Sequence, residues 1–196
     1  MYDRLAGLVY GKAIRNAQHV HLPALKSARK ILIIGGGTGW ILRDVLSLDP
    51  ASTIVYVEAS SKMLELSRSN VPKGDLHRVV FVEGTEQSLP DQPQFDAVMA
   101  NFFLDLFSET ELNAVVVKLK HTLMPDGKLL CTDFVDDHAW QRVLLFVMYG
   151  FFRLTAGLRN RKLPPWREVI GAHGFQRIQS RSFWNGFICS ELYRVR

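Results

Sequence analysis

Cysteine is scarce in this sequence: its 196 residues include only Cys131 and Cys189. Two thiols cannot build a disulfide framework or a four-ligand zinc site, and such scarcity fits a reducing compartment. Long apolar runs are missing too. The most apolar stretch, Val143 to Phe152, covers about ten residues, roughly half of the ~20 that span a bilayer. No transmembrane segment is therefore expected. The opening Met1-Tyr2-Asp3-Arg4-Leu5 lacks the basic and then apolar pattern of a secretory signal, so a cytoplasmic location is expected. Charge of one sign is in only slight excess, with 24 Lys+Arg against 19 Asp+Glu, a formal +5. That balance tolerates an anionic partner without demanding one. His19 and His21 have no cysteine or acid companion, so no metal site is expected. No internal repeat, linker or low-complexity tract breaks the chain. What is present is a globular composition, 47% hydrophobic and 22% charged. The length suits a single domain, residues 1–196, able to bury about 70% of its unfolded surface.

Periodicity alternates along the chain. Tyr2 to Ala17 carries apolar residues at helical spacing, and His19 to Lys26 reads as a connector. Ile31-Leu32-Ile33-Ile34 is wholly apolar, as expected of a strand covered on both faces of a parallel sheet. Gly35-Gly36-Gly37-Thr38-Gly39 ends it, and Trp40 to Leu48 is helical again. Thr53 to Val57 is a second strand ending at Glu58, followed by a helix over Ser61 to Ser69. Val79 to Val82 and Phe95 to Ala100 read as strands, and Glu109 to Leu123 as a helix. Met124-Pro125-Asp126-Gly127 reads as a turn into a strand over Lys128 to Phe134. A long helix is predicted over His138 to Leu158 and a short one over Pro165 to Ala172. Strands over Phe175 to Ser182 and Phe187 to Arg194 flank Asn185-Gly186, a strong hairpin signal. Repeated βα units with right-handed crossovers give an α/β, doubly wound, mostly parallel sheet, here closed by an antiparallel hairpin.

In such sheets ligands bind at the carboxyl ends of the strands. The glycines after Ile34 allow a sharp turn and a close backbone approach. Glu58 lies 19 residues beyond Gly39, where a carboxylate can accept both hydroxyls of a ribose. A nicotinamide fingerprint would place its third glycine where Trp40 stands, which disfavours a dehydrogenase.

These segments resemble the class I S-adenosylmethionine-dependent methyltransferases over nearly the whole chain. Ile31 to Gly39 is similar to the family's glycine motif, Val57 to Leu64 to the segment whose acid binds the ribose, and Val82 to Pro90 to the adenine stretch. Phe95 to Asn101 resembles the fourth strand and its exit, and Leu123 to Leu130 the turn into the fifth. The resemblance implies a Rossmann-like sheet of seven strands and S-adenosylmethionine as cofactor. It implies that Gly35, Gly36, Gly37, Thr38, Gly39, Glu58, Ala59, Met63, Gly84, Thr85, Glu86 and Asn101 bind that cofactor. Two positions depart from the pattern: Ile33 stands where the family has an acid, and Thr85 where an aspartate commonly follows the glycine.

For the transfer itself, Asp105 and Asp133 are the expected catalytic residues, with Asp136, Asp137 and His138 as further proton acceptors at the same sheet edge. Asn101-Phe102-Phe103 lacks the prolines and tyrosine of amino-group methyltransferases that act on DNA. The resemblance implies an acceptor pocket shaped by residues 135–173, with Phe103, Trp140, Phe146, Tyr149 and Arg153 lining it. Residues 1–29 are expected to form a helical lid. The expected acceptor is a small, moderately lipophilic or aromatic molecule attacked through oxygen or carbon. Arg153, Arg159, Arg161 and Lys162 suit a carboxylate, a phosphate or a membrane headgroup, so peripheral membrane contact remains open. So do a cofactor-binding module without catalysis, an RNA methyltransferase and an aminopropyltransferase-like enzyme.

Overall fold

Short runs of Ile, Leu and Val cannot cover themselves, so they pair edge to edge and are sheathed by helices on both faces. The computed structural model describes residues 12–156 and 162–195, without the side chains of 151–156. Among the described residues, seven strands form one sheet: β1 (Lys30–Ile34), β2 (Thr53–Glu58), β3 (Val79–Glu83), β4 (Phe95–Asn101), β5 (Leu123–Phe134), β6 (Phe175–Phe183) and β7 (Ile188–Val195). Their order is β3-β2-β1-β4-β5-β7-β6. Strands β1 to β5 run parallel, and β7 is antiparallel to both of its neighbours. The α-helices are α1 (Ala13–His19), α2 (Leu42–Leu46), α3 (Ser61–Ser69), α4 (Glu109–Thr122), α5 (Ala139–Ala156) and α6 (Trp166–Ala172). This is the doubly wound α/β architecture with a terminal antiparallel hairpin.

The sheet divides the core. Ile31, Ile33 and Tyr56 face Leu42, Val45 and Leu64 on one side. Leu32, Ile34 and Leu129 face Leu112, Val116, Leu119 and Trp166 on the other. No residue from Ile31 to Ile34 is more than 2% exposed, which explains why β1 reads as an unbroken apolar run. A third cluster closes the carboxyl end of β5, where Ala17 of α1 and Leu145 and Tyr149 of α5 meet Phe134, Phe187 and Ile188. Helix α1 packs on β6 and β7. The part of the expected N-terminal helix before residue 12 lies outside the described residues.

Three boundaries differ most from the sequence expectations. Met124 to Gly127 does not precede the fifth strand but lies within it: Leu123 pairs with Phe95, and pairing resumes at Lys128 with Ala97. The turn chemistry survives as an irregularity, with Asp126 at a φ of 61°. Helix α2 is shorter than Trp40 to Leu48, because those flanking residues form turns. Strand β6 extends to Phe183, and the turn spans Trp184 and Asn185, both at positive φ. None of the described helices is long and apolar enough to cross a membrane.

Candidate functional site

Strand order reverses at β1, whose neighbours β2 and β4 are entered in opposite directions, and the glycine loop leaves β1 at this point. Two side chains of β2 hold the loop. Tyr56 and Glu58 are two residues apart and so project from the same face of the strand. The Tyr56 hydroxyl donates to the Gly37 carbonyl at 2.9 Å. Glu58 accepts from the Gly37 amide through Oε2 and from the Ser60 amide through Oε1, each at 2.9 Å. Tyr56 is the strand partner of Ile33, so with no acid at position 33 the loop is held from the adjacent strand, at the Gly37 carbonyl by Tyr56 and at the Gly37 amide by Glu58. Sequence reasoning passed over Tyr56. The available signal was a polar-tipped residue in step with Glu58 in an otherwise apolar strand.

The glycines divide by what surrounds them. A Cβ on Gly36 would lie 2.4 Å from the Tyr56 ring, so that position is glycine to admit the tyrosine. Gly37 has a φ of 62° and nothing within 4 Å of where its Cβ would be. Its open side is the one place in the loop where a ligand can approach bare backbone. Thr38 turns its carbonyl to the Asn70 side chain at 2.8 Å, while Gly39 packs against Ser67 of α3.

The other expected cofactor residues line the same edge. Ser60 caps α3 by accepting from the Met63 amide at 3.4 Å, which sets half-buried Met63 and exposed Ala59 beside Glu58. Gly84 donates its amide to the Glu58 carbonyl at 3.1 Å. Thr85 is exposed, and its hydroxyl accepts from the Gln87 amide at 3.3 Å, capping the turn that carries half-buried Glu86. Asn101 ends β4 half-buried.

The catalytic candidates lie deeper than expected. Asp133 is fully buried, and its carboxylate accepts from the amides of Leu104, Asp105 and Phe134 at 3.1, 3.2 and 2.8 Å. Facing the cleft was the expectation; the nearby turn at Leu104–Leu106 presents two amides to Asp133. Asp105 sits on that turn at 6% exposure. Burial pushes its carboxyl up to about 7. Asp133 is raised well above the ordinary range, by burial first and by Asp105 second, against three amides that favour its charge. Asp137 is paired with Arg167, His138 is an exposed residue at the start of α5, and Asp136 is half-buried.

The expected acceptor residues separate. Tyr149 is buried in the third cluster, and Trp140, 43% exposed, meets Trp184 at 6.0 Å and Phe187 at 5.9 Å between ring centres. The ring of Phe103 lies where a Gly35 Cβ would be, at 2.5 Å, and contacts Phe107, so it packs the loop. Phe146 is 76% exposed on the outer face of α5. The side chain of Arg153 lies outside the described residues. From α1, His19 stacks on Trp40 at 5.3 Å and pairs with Asp44 at 3.0 Å, which ties the described part of the N-terminal segment to the residue after the glycine loop.

The fold and this edge define a class: a doubly wound α/β domain with a glycine loop and an acid at its switch point, where such sheets bind ligands. Residues 31–127 match the model of a methyltransferase domain family. A malonyl-[acyl-carrier protein] O-methyltransferase from Halalkalibacterium halodurans is 35% identical over 135 residues, 65% of this chain and 45% of that protein. A ubiquinone/menaquinone biosynthesis C-methyltransferase from Pseudomonas paraeruginosa is 29% identical over 138 residues, 68% of this chain and 53% of that one. The solved structure of an O-methyltransferase family protein from Burkholderia thailandensis superposes with a TM-score of 0.77 at 18% identity, covering 99% of this chain and 58% of that one. The chain belongs to the class I S-adenosylmethionine-dependent methyltransferase family. It spans about half the length of the relatives it matches in sequence.

Proposed function

We propose that this chain transfers the methyl group of S-adenosylmethionine to an oxygen or carbon of a small, moderately lipophilic acceptor. The observation that carries the reading is the Glu58 carboxylate turned onto the glycine loop beside the open space at Gly37. A carboxylate offers roughly four lone-pair positions. The Gly37 and Ser60 amides use two of them, and two remain for the two hydroxyls of a ribose. In this reading Gly37 admits the methionine part, Met63, Thr85 and Glu86 border the adenine, and Ala59 and Asn101 complete the rim.

When bound, the cofactor supplies a methyl group on a positively charged sulfur that becomes neutral as the methyl leaves. The protein's task is then mainly placement: setting a nucleophile about 3 Å from the reacting carbon contributes roughly 7–11 kcal/mol. Asp105 is the proposed acceptor of the nucleophile's proton, since a carboxyl lifted to about 7 accepts one readily near neutral pH. Asp133 fixes the turn that carries it. Tyr149 and Trp140 belong to the acceptor side, and the described part of the N-terminal segment, tied to Trp40 through His19, borders the cleft. The relatives named for O-methylation of malonyl-[acyl-carrier protein] and for C-methylation support oxygen or carbon as the attacked atom. The free thiols Cys131 and Cys189 support a reducing, cytoplasmic setting.

Calorimetry with S-adenosylhomocysteine tests the proposal. Binding is expected, and Glu58→Ala should weaken it by about 1.5–3 kcal/mol through lost charged hydrogen bonds. No heat up to millimolar ligand overturns the reading, and an unchanged affinity in the variant removes Glu58 from the site. The depth of both carboxylates, 6% and 0% exposed, favours a second reading, a cofactor-binding module without catalysis. Incorporation of labelled methyl from the cofactor into a metabolite extract separates the two: tight binding with no incorporation selects the module.

A further inference from the structure

Helix α5 is apolar on two opposite faces, and only one of them is used by the fold. Gln141, Leu145 and Tyr149 form the inner row and are buried. The outer row is Trp140, Val143, Phe146 and Val147, exposed by 43%, 64%, 76% and 63%. A helix that merely covers a sheet needs one apolar stripe and a polar back. Here the back is apolar for about two turns, and Phe146 and Val143 rank among the most exposed large apolar side chains of the described residues.

The charged residues in this stretch of the sequence have one sign. From His138 to Pro165 the sequence holds Arg142, Arg153, Arg159, Arg161 and Lys162 and no Asp or Glu. Arg142 and Lys162 are exposed, and Asp137, just before the helix, is already paired with Arg167. An apolar helix face bearing aromatic residues, on a helix whose charged residues are all cationic, has the make-up of a helix that lies in a bilayer interface. A second copy of the chain is a poorer occupant. A two-fold contact sets the same patch against itself, which would bring the two copies of Arg142 together. An anionic bilayer satisfies both components at once.

We propose that the outer face of α5 is a peripheral docking surface for an anionic lipid bilayer, with Val143, Phe146 and Val147 entering the acyl boundary and Arg142 meeting the headgroups. The helix lies on the surface and does not cross it, in keeping with the absence of a membrane-crossing helix among the described residues. Its inner face packs on Phe134 and Phe187 at the sheet edge that holds the candidate site, so docking would set that edge close to the lipid. The docking itself does not rest on the proposed methyl transfer and is measured without it.

The test is co-sedimentation of the full chain with vesicles of phosphatidylglycerol mixed equally with phosphatidylcholine, against vesicles of phosphatidylcholine alone. The chain should sediment with the anionic vesicles, less so at high salt, and remain largely free with the neutral ones. The double variant Val143→Glu/Phe146→Glu should lower the partition coefficient by roughly tenfold or more. Arg142→Glu, at an exposed site with only a weak backbone contact, should lower it several-fold and covers the case in which the double variant misfolds. Equal binding to both vesicle types, or unchanged binding by the folded variants, overturns the proposal. A vesicle-free dimer that Val143→Glu/Phe146→Glu dissociates also overturns it, because the face would then be an interface between copies.

Discussion

Tyr56 does two jobs with one side chain. Its ring occupies the space that Gly36 leaves, and its hydroxyl fixes the Gly37 carbonyl. The two roles separate in Tyr56→Phe, which keeps the ring and loses the hydrogen bond. A bond of this kind is worth about 1 kcal/mol, so affinity for S-adenosylhomocysteine should fall by roughly fivefold while the melting temperature moves only slightly. Calorimetry beside thermal unfolding checks this, and an unaltered affinity would reduce Tyr56 to a packing residue. Glu58 was legible in the sequence because its place depends only on strand length and the distance from the glycines. Asp133 and Phe103 were not. Whether a side chain at a strand end meets solvent, amides or another loop depends on where the 104–106 turn comes to rest, and no local pattern records that.

At the scale of elements, the best-determined helix end is that of α4. Ser108 accepts from the Glu111 amide at 3.4 Å, while the Glu111 carboxylate accepts from the Ser108 amide at 2.8 Å. This reciprocal pair satisfies two otherwise orphaned donors. Ser108→Ala should cost about 1 kcal/mol, read as a lower urea midpoint with an unchanged denaturant slope; no loss would mean that α4 is held by its core contacts alone. The parallel strands were legible for a related reason. Burial on both faces forces an unbroken run of apolar residues, which β1 displays. The Met124 to Gly127 segment was harder to read, because turn residues mark a local bend whether it ends a strand or interrupts one. Only the pairing of Leu123 with Phe95 distinguishes the two cases. The double apolar face of α5 was visible as an excess over what one contact requires, but the sequence did not divide it into an inner and an outer row.

For the whole molecule, the buried carboxyls couple stability to pH. Asp105 is raised to about 7 and Asp133 well above its ordinary value, whereas both release their protons near 3.9 when unfolded. The folded state therefore keeps protons that the unfolded chain gives up. Their contribution to stability is complete below about pH 4 and is lost as pH rises through about 7. The urea midpoint should fall between about pH 5 and pH 8, and Asp105→Asn should flatten that slope. A midpoint that climbs over the same interval would mean that both acids are ionised in the fold.

The hold of Glu58 and Tyr56 on Gly37 has a kinetic consequence. Both bonds exist in the chain alone, so the conformational entropy of the loop is spent during folding rather than at each encounter with a nucleoside. Recognition at this end of the cleft then resembles a key entering a cut lock, with association limited by arrival and not by rearrangement.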